Sequence, residues 1–144
     1  MPSTLFYTHF NTPSLTIYED TAAKLIVVNA HGVVPSAVYR KGMDTAVEVA
    51  IQKQLPYWLV DNKEGGIITT EDQIWAGEVL VPRIAYESSV RKMALVEPVD
   101  VHSKLILEDM MDKAQSIFDF EMQFFQEKEI AYIWFKDSLS TALL

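Results

Sequence analysis

The 144-residue sequence contains no cysteine. That absence removes disulfides, thiolate nucleophiles and cysteine metal sites together, and it fits a reducing compartment. Long hydrophobic runs are missing as well. The strongest apolar stretch, Leu25–Ala30, falls far short of the ~20 residues a membrane-spanning helix needs, so no membrane insertion is expected. The opening residues Met1–Tyr7 carry neither a basic segment nor a long apolar one. No secretory signal is read there, and a cytoplasmic location is expected. Positive charge is scarce: 12 Lys and Arg stand against 20 Asp and Glu, a formal net charge of −8. The basic residues are scattered, with Arg40-Lys41 and Arg91-Lys92 only as pairs. A polyanion is bound by releasing its counterions to clustered Lys and Arg. Nucleic acid is therefore not an expected partner, and anionic membrane surfaces are disfavoured for the same reason.

What is present fits one globular domain, taken as residues 1–144. The hydrophobic fraction of 49% is ordinary for a chain that buries one core. Leu5–Phe10 and Leu15–Tyr18 read as strands on either side of Asn11-Thr12-Pro13-Ser14, a turn composition. Lys24–Asn29 is apolar and β-branched, as a strand buried on both faces should be. Pro35 suits the first turn of a helix whose inward face is Tyr39, Met43, Ala46, Val47, Ala50 and Ile51. Pro56 lies just past its end.

Tyr57–Val60 reads as the next strand, ending at Asp61-Asn62, with Lys63–Gly66 as a loop. Thr69 with Asp72, or Thr70 with Gln73, has the spacing of a capping box for a second helix. Its predicted inward face is Ile74, Gly77, Val81, Ile84 and Ala85, and Pro82 should kink it or leave a carbonyl unpaired. Arg91–Glu97 reads as a strand and Val101–Ile117 as a third helix. Phe118–Phe124 alternates apolar and polar, as a half-exposed strand does. A last helix is predicted over Glu129–Leu139, with Ile130, Ile133, Trp134 and Leu139 inward. The order predicts an α/β fold: a mixed sheet with an N-terminal antiparallel meander, later strands parallel, and about four helices packed on it.

Several phrases in this order carry a resemblance. His31–Gly42 resembles the entry to the first helix of STAS-type, SpoIIAA-like proteins. Tyr57–Asn62 is similar to the strand before their regulatory loop, and Glu71–Trp75 and Val81–Arg83 look like small bacterial members. The similarity covers about residues 14–136. It implies a small mixed sheet with helices packed against it. It also implies a non-enzymatic regulatory or protein-interaction module. The best-known members are anti-sigma factor antagonists, switched by phosphorylation of a serine or threonine at the N-terminus of the second helix. Other members are attached to transporters or sensors, and several bind nucleotides or small ligands. The switch motif of the antagonists, an Asp followed directly by hydroxyl residues, is not reproduced. Asp61 is followed by Asn62-Lys63-Glu64-Gly65-Gly66, and hydroxyls come only at Thr69 and Thr70.

The candidate residues follow from these readings. Thr69 and Thr70 are the positions a phosphate would take, since a helix N-terminus stabilises one; an ordinary N-cap is the commoner role. Asp61 and Asn62 end a strand of an open α/β sheet, where ligands favour the crevice, although such residues also close turns. Gly65 and Gly66 lack the lysine and hydroxyl residue of a P-loop. Trp75 lies one position off the inward face of its helix and is the candidate interface anchor. His9, His31 and His102 show no metal-ligand spacing, and a His102–Ser103 pair beside Asp100 is not how triads assemble. The acidic run Glu108–Asp112 reads as a solvated helix face or a docking face for a basic partner. No metal, cofactor or catalytic set is called for. The expected function is a protein-binding module, with a homodimer among its assemblies. The rival readings are a phospho-switch at Thr69/Thr70 and a small-molecule or lipid sensor with an apolar pocket between the sheet and the second or fourth helix.

Overall fold

The computed structural model describes residues 6–97 and 120–137, together with Val101, Leu105, Glu108, Asp109, Asp112 and Lys113 between them. One six-stranded sheet runs in the order β1-β2-β3-β4-β5-β6. Its strands are β1 (Phe6–Asn11), β2 (Leu15–Asp20), β3 (Leu25–Val33), β4 (Tyr57–Ile67), β5 (Lys92–Val96) and β6 (Glu121–Phe125). β1 to β3 form the antiparallel meander, and β3 to β6 are parallel. The mixed α/β architecture expected from the sequence is present.

Helix α1 (Ser36–Lys53) crosses from β3 to β4. A second helical rod crosses from β4 to β5. It consists of α2 (Thr70–Trp75), a π turn (Ala76–Leu80) and α3 (Val81–Glu87). Helix α4 (Lys128–Lys136) follows β6. The predicted third helix, Val101–Ile117, lies largely outside the described residues, and those described within it are helical.

Two cores result, one on each face of the sheet. Alternation along the central strands sends Ile26, Val28, Trp58, Met93 and Leu95 to the face covered by α1 and the rod. Leu25, Val27, Leu59, Ala94 and Val96 go to the face covered by α4, through Ala131 and Phe135. Strands covered on both faces need apolar residues at every position, which is why β3 and β5 read as continuous apolar runs. Gly42 lets α1 lie close to the meander, because a Cβ there would meet Leu15 Cδ2 at 2.4 Å and Phe10 Cε2 at 3.1 Å.

Three expectations need correction. The predicted loop Lys63–Gly66 is the continuation of β4, which stays paired with β3 as far as Ile67. Two register shifts interrupt that ladder, between Asn29 and His31 and between Gly32 and Val33. Each inserts an extra β4 residue, and a bulge breaks the alternation by which a strand is read.

The inward face of the rod is Asp72, Ala76, Leu80, Val81 and Ile84, while Ile74 and Gly77 are exposed. The π turn adds a residue just before Pro82 and rotates the face. A proline in a regular helix lacks its N–H and clashes with the preceding turn; widening that turn relieves the clash without a break.

On α4, Ala131 and Phe135 are inward and Ile130 and Ile133 are exposed. Trp134 packs at the edge of that core, and Leu139 is outside the described residues.

Candidate functional site

The face under α1 and the rod is not completely filled. Among the described residues a cavity of about 90 Å³ lies between the sheet and these helices. Val28, Trp58, Val60, Met93 and Leu95 form its floor, and Ala76, Leu80, Val81 and Ile84 of the rod form its roof. The π turn is therefore part of the wall. Wider helical turns of this kind recur at functional sites because they displace backbone and side chains from regular positions.

Asn62 and Tyr39 bring polar groups to this apolar lining, and Trp58 adds its indole N–H. Asn62 is 3% exposed, and no hydrogen bond of its side chain is found among the described residues. It stands at the first β4 bulge, on the same face as Trp58 and Val60. Tyr39 comes from α1 and is also buried. Burial, followed by the nearby Asp72 charge, raises the pKa of its phenol, so it stays protonated and remains a donor.

Asp72 organises the end of the rod beside Tyr39. The Thr69 hydroxyl oxygen accepts the Asp72 backbone N–H at 3.1 Å and caps α2. The Asp72 carboxylate reaches across to α1. Its Oδ1 accepts the Ser36 hydroxyl at 2.7 Å and Arg40 Nε at 2.9 Å, tying α2 to α1. Burial alone would raise the carboxyl pKa, but hydrogen bonds from Arg40, Ser36 and Thr69 and the Arg40 charge hold it below the ordinary carboxylate value. Asp72 Oδ2 has no partner among the described residues. Arg40 also lies over the Trp75 ring, 5.3 Å from its centroid, and Tyr39 meets that ring edge-on at 6.0 Å. Trp75 is thus half-buried and held from two sides.

The predicted site residues separate. Asn62 faces the cavity, whereas Asp61 belongs to the opposite face. There it raises the pKa of Tyr18, after burial and ahead of Asp20. Asp61 Oδ1 also accepts the Lys63 backbone N–H at 3.2 Å, a turn-closing bond at the bulge. Gly65 and Gly66 lie in the β4 ladder, and Gly65 pairs with Gly32. Thr69 and Thr70 are exposed, Thr69 as the N-cap and Thr70 as the first residue of α2.

His9 Nε2 sits 3.1 Å from Glu19 of β2, and Lys53 reaches the same carboxylate at 3.3 Å. His31 is exposed on β3, and His102 lies outside the described residues. In the acidic run, Asp109 pairs with Lys113 at 3.0 Å. Among the described residues no group of three or more His, Asp or Glu could hold a metal ion, and no helix is long and apolar enough to cross a membrane. Sequence reasoning did not single out Tyr39, Arg40 or Asp72 as site residues. Asp72 was visible only as the partner of Thr69 in the capping spacing.

No family model and no curated protein matches the sequence. A solved structure does match in fold: an uncharacterised protein of the DUF3478 family from Shewanella loihica PV-4, described as having a SpoIIAA-like fold. The two share 17% identity, the TM-score is 0.56, and the match covers 94% of this chain and 98% of that one. The fold is SpoIIAA-like, as the sequence resemblance implied.

Proposed function

We propose that this protein is a non-enzymatic, STAS-like binding module that holds a small, mainly apolar molecule between its sheet and its second helical rod. The observation that carries this reading is the cavity under the π turn, with Asn62 and Tyr39 as its polar groups. Ligand sites are usually apolar concavities with a few placed polar groups. An amide and a protonated phenol can position a molecule but supply no acid–base pair, which favours binding over catalysis. At about 90 Å³ the cavity is smaller than the ~150 Å³ site that admits benzene in an engineered protein. The ligand is therefore a fragment-sized molecule, or one that lifts the rod.

The test is native mass spectrometry of the full chain purified from its own host. A non-covalent adduct that Leu80→Phe abolishes supports the reading. Adduct-free protein, with no thermal shift from any small hydrophobic compound, contradicts it.

A second reading is a protein-binding surface on the same rod. Ile74, Val79 and Tyr86 are exposed apolar side chains along it, and Trp75 lies among them as the proposed anchor. A partner seated there, including a second copy of this chain, would sense whatever lies beneath. The phospho-switch alternative rests on Thr70, because the Thr69 oxygen is already occupied in capping. Failure of a cognate kinase to modify Thr70 would remove it.

A further inference from the structure

Asn62 is the residue in the cavity that packing does not explain. Transfer of an amide into an apolar environment without a hydrogen bond is costly, and a leucine of similar volume would fill the same space without that penalty. Its neighbours Asp61 and Lys63 satisfy the bulge between themselves through the Lys63 N–H bond, so the turn does not need the Asn62 side chain. Proteins break local rules of this kind at functional positions, where stability is exchanged for recognition. Tyr39 lines the same cavity from α1, and no hydrogen bond of its hydroxyl is found among the described residues.

We propose that the cavity takes an uncharged molecule with an apolar body and one oxygen function, an alcohol or a ketone, which hydrogen-bonds to the Asn62 amide and the Tyr39 hydroxyl. This inference rests on the ligand-binding reading above and specifies the ligand's chemistry.

The charge follows from the wall. No Lys, Arg, His, Asp or Glu is among the described residues lining the cavity, so a carboxylate or ammonium would be buried without a counterion. Asp72 is already engaged by Arg40 and Ser36 and is not among the lining residues. The single oxygen follows from the inventory. Asn62 offers two N–H donors and one acceptor oxygen, and Tyr39 offers one O–H. A ketone oxygen accepts from both residues. An alcohol accepts from Tyr39 and donates to the Asn62 oxygen. Apart from the Trp58 indole N–H, the remaining wall is apolar and matches a hydrocarbon body.

The experiment titrates the full chain with cyclopentanone, cyclopentane and isobutyrate, following cavity methyl groups by NMR, in the wild type, Asn62→Leu and Tyr39→Phe. Asn62→Leu should weaken cyclopentanone about 10-fold while leaving cyclopentane unchanged or tighter, since one hydrogen bond in an apolar site is worth about that factor. Tyr39→Phe should weaken cyclopentanone about 5-fold. Isobutyrate should not bind. The melting temperature of Asn62→Leu should equal or exceed that of the wild type, because no partner among the described residues is lost.

If the ketone and the hydrocarbon respond alike to both substitutions, the polar anchoring is wrong while the apolar binding site stands. Tighter binding of isobutyrate than of cyclopentanone also overturns the uncharged ligand. If neither neutral compound binds the wild type up to its solubility limit, the ligand-binding reading fails as well. A destabilised Asn62→Leu would show that the amide has a structural partner, and that result also counts against the proposal.

Discussion

Gly65 faces Gly32 across the β3–β4 ladder so closely that a Cβ on Gly65 would lie 2.2 Å from the Gly32 backbone nitrogen. The pair lets the bulged β4 stay in contact with β3 beyond the point where β4 leaves β5, whose pairing ends at Asp61 and Val96. That extension places Asn62 at the cavity wall.

Gly65→Ala should therefore destabilise the fold by about 1–3 kcal/mol from backbone strain alone, and further through displacement of β3. Gly32 also has positive φ but nothing within 4 Å of its Cβ position. Gly32→Ala should cost about 1 kcal/mol. Urea denaturation of the two variants checks the ranking; equal losses would show that the close approach is not what demands glycine.

Asp72 should make the protein acid-sensitive. Its folded pKa is depressed, so its contribution is fully present above the unfolded value of about 3.9 and is lost as pH falls through the lower folded value. Asp72→Asn keeps the Oδ1 acceptor for Ser36 and Arg40 but removes the charge that strengthens both bonds, and should cost about 1–2 kcal/mol at pH 7. Arg40 is partly exposed, so the ion pair itself is screened. The difference between wild type and variant should shrink as pH falls below about 4. A difference independent of pH would show that the carboxylate charge is not involved.

Trp75 is braced by Tyr39 and Arg40, so its ring is presented in a fixed position. Trp75→Ala should weaken self-association or partner binding, and Ile74→Asp on the exposed neighbour should do so with little change in stability. Light scattering across a concentration series, or binding to an identified partner, reads the effect. Unchanged association in both variants would remove the rod as an interface.

Leu80 is 6% exposed and contributes to the cavity roof. Leu80→Ala should destabilise by about 2–5 kcal/mol, as expected where a buried leucine leaves a void. It should also widen the cavity and tighten binding of cyclopentane, read by the same methyl shifts. Loss of stability without any gain in binding would mean that the roof collapses into the space.

The strands were legible wherever alternation or a continuous apolar run was intact, as in Leu25–Val28 and Met93–Val96. They became illegible where an extra residue was inserted. The bulges around Asn62-Lys63 and Gly66 made a strand look like a glycine loop. The π turn before Pro82 moved the buried face from Ile74 and Gly77 to Ala76 and Leu80. In α4 the small Ala131 is buried under Phe135, and the larger Ile130 and Ile133 face outward, which a search for bulky residues reverses. Asn62 was visible as a candidate beside Asp61, but period-two geometry sends the two side chains to opposite faces. Tyr39 looked like one more apolar helix position, because nothing in its neighbours shows that it would line a cavity.

The central claim, that the space under the rod accepts a small apolar molecule, is tested most directly by methyl NMR of the full chain under xenon pressure, since xenon enters dry apolar cavities. Saturable shifts should appear at Val28, Val60, Leu80 and Ile84, and none at Leu25 and Val27 on the opposite face. Shifts that are absent, or equal on both faces, would contradict it.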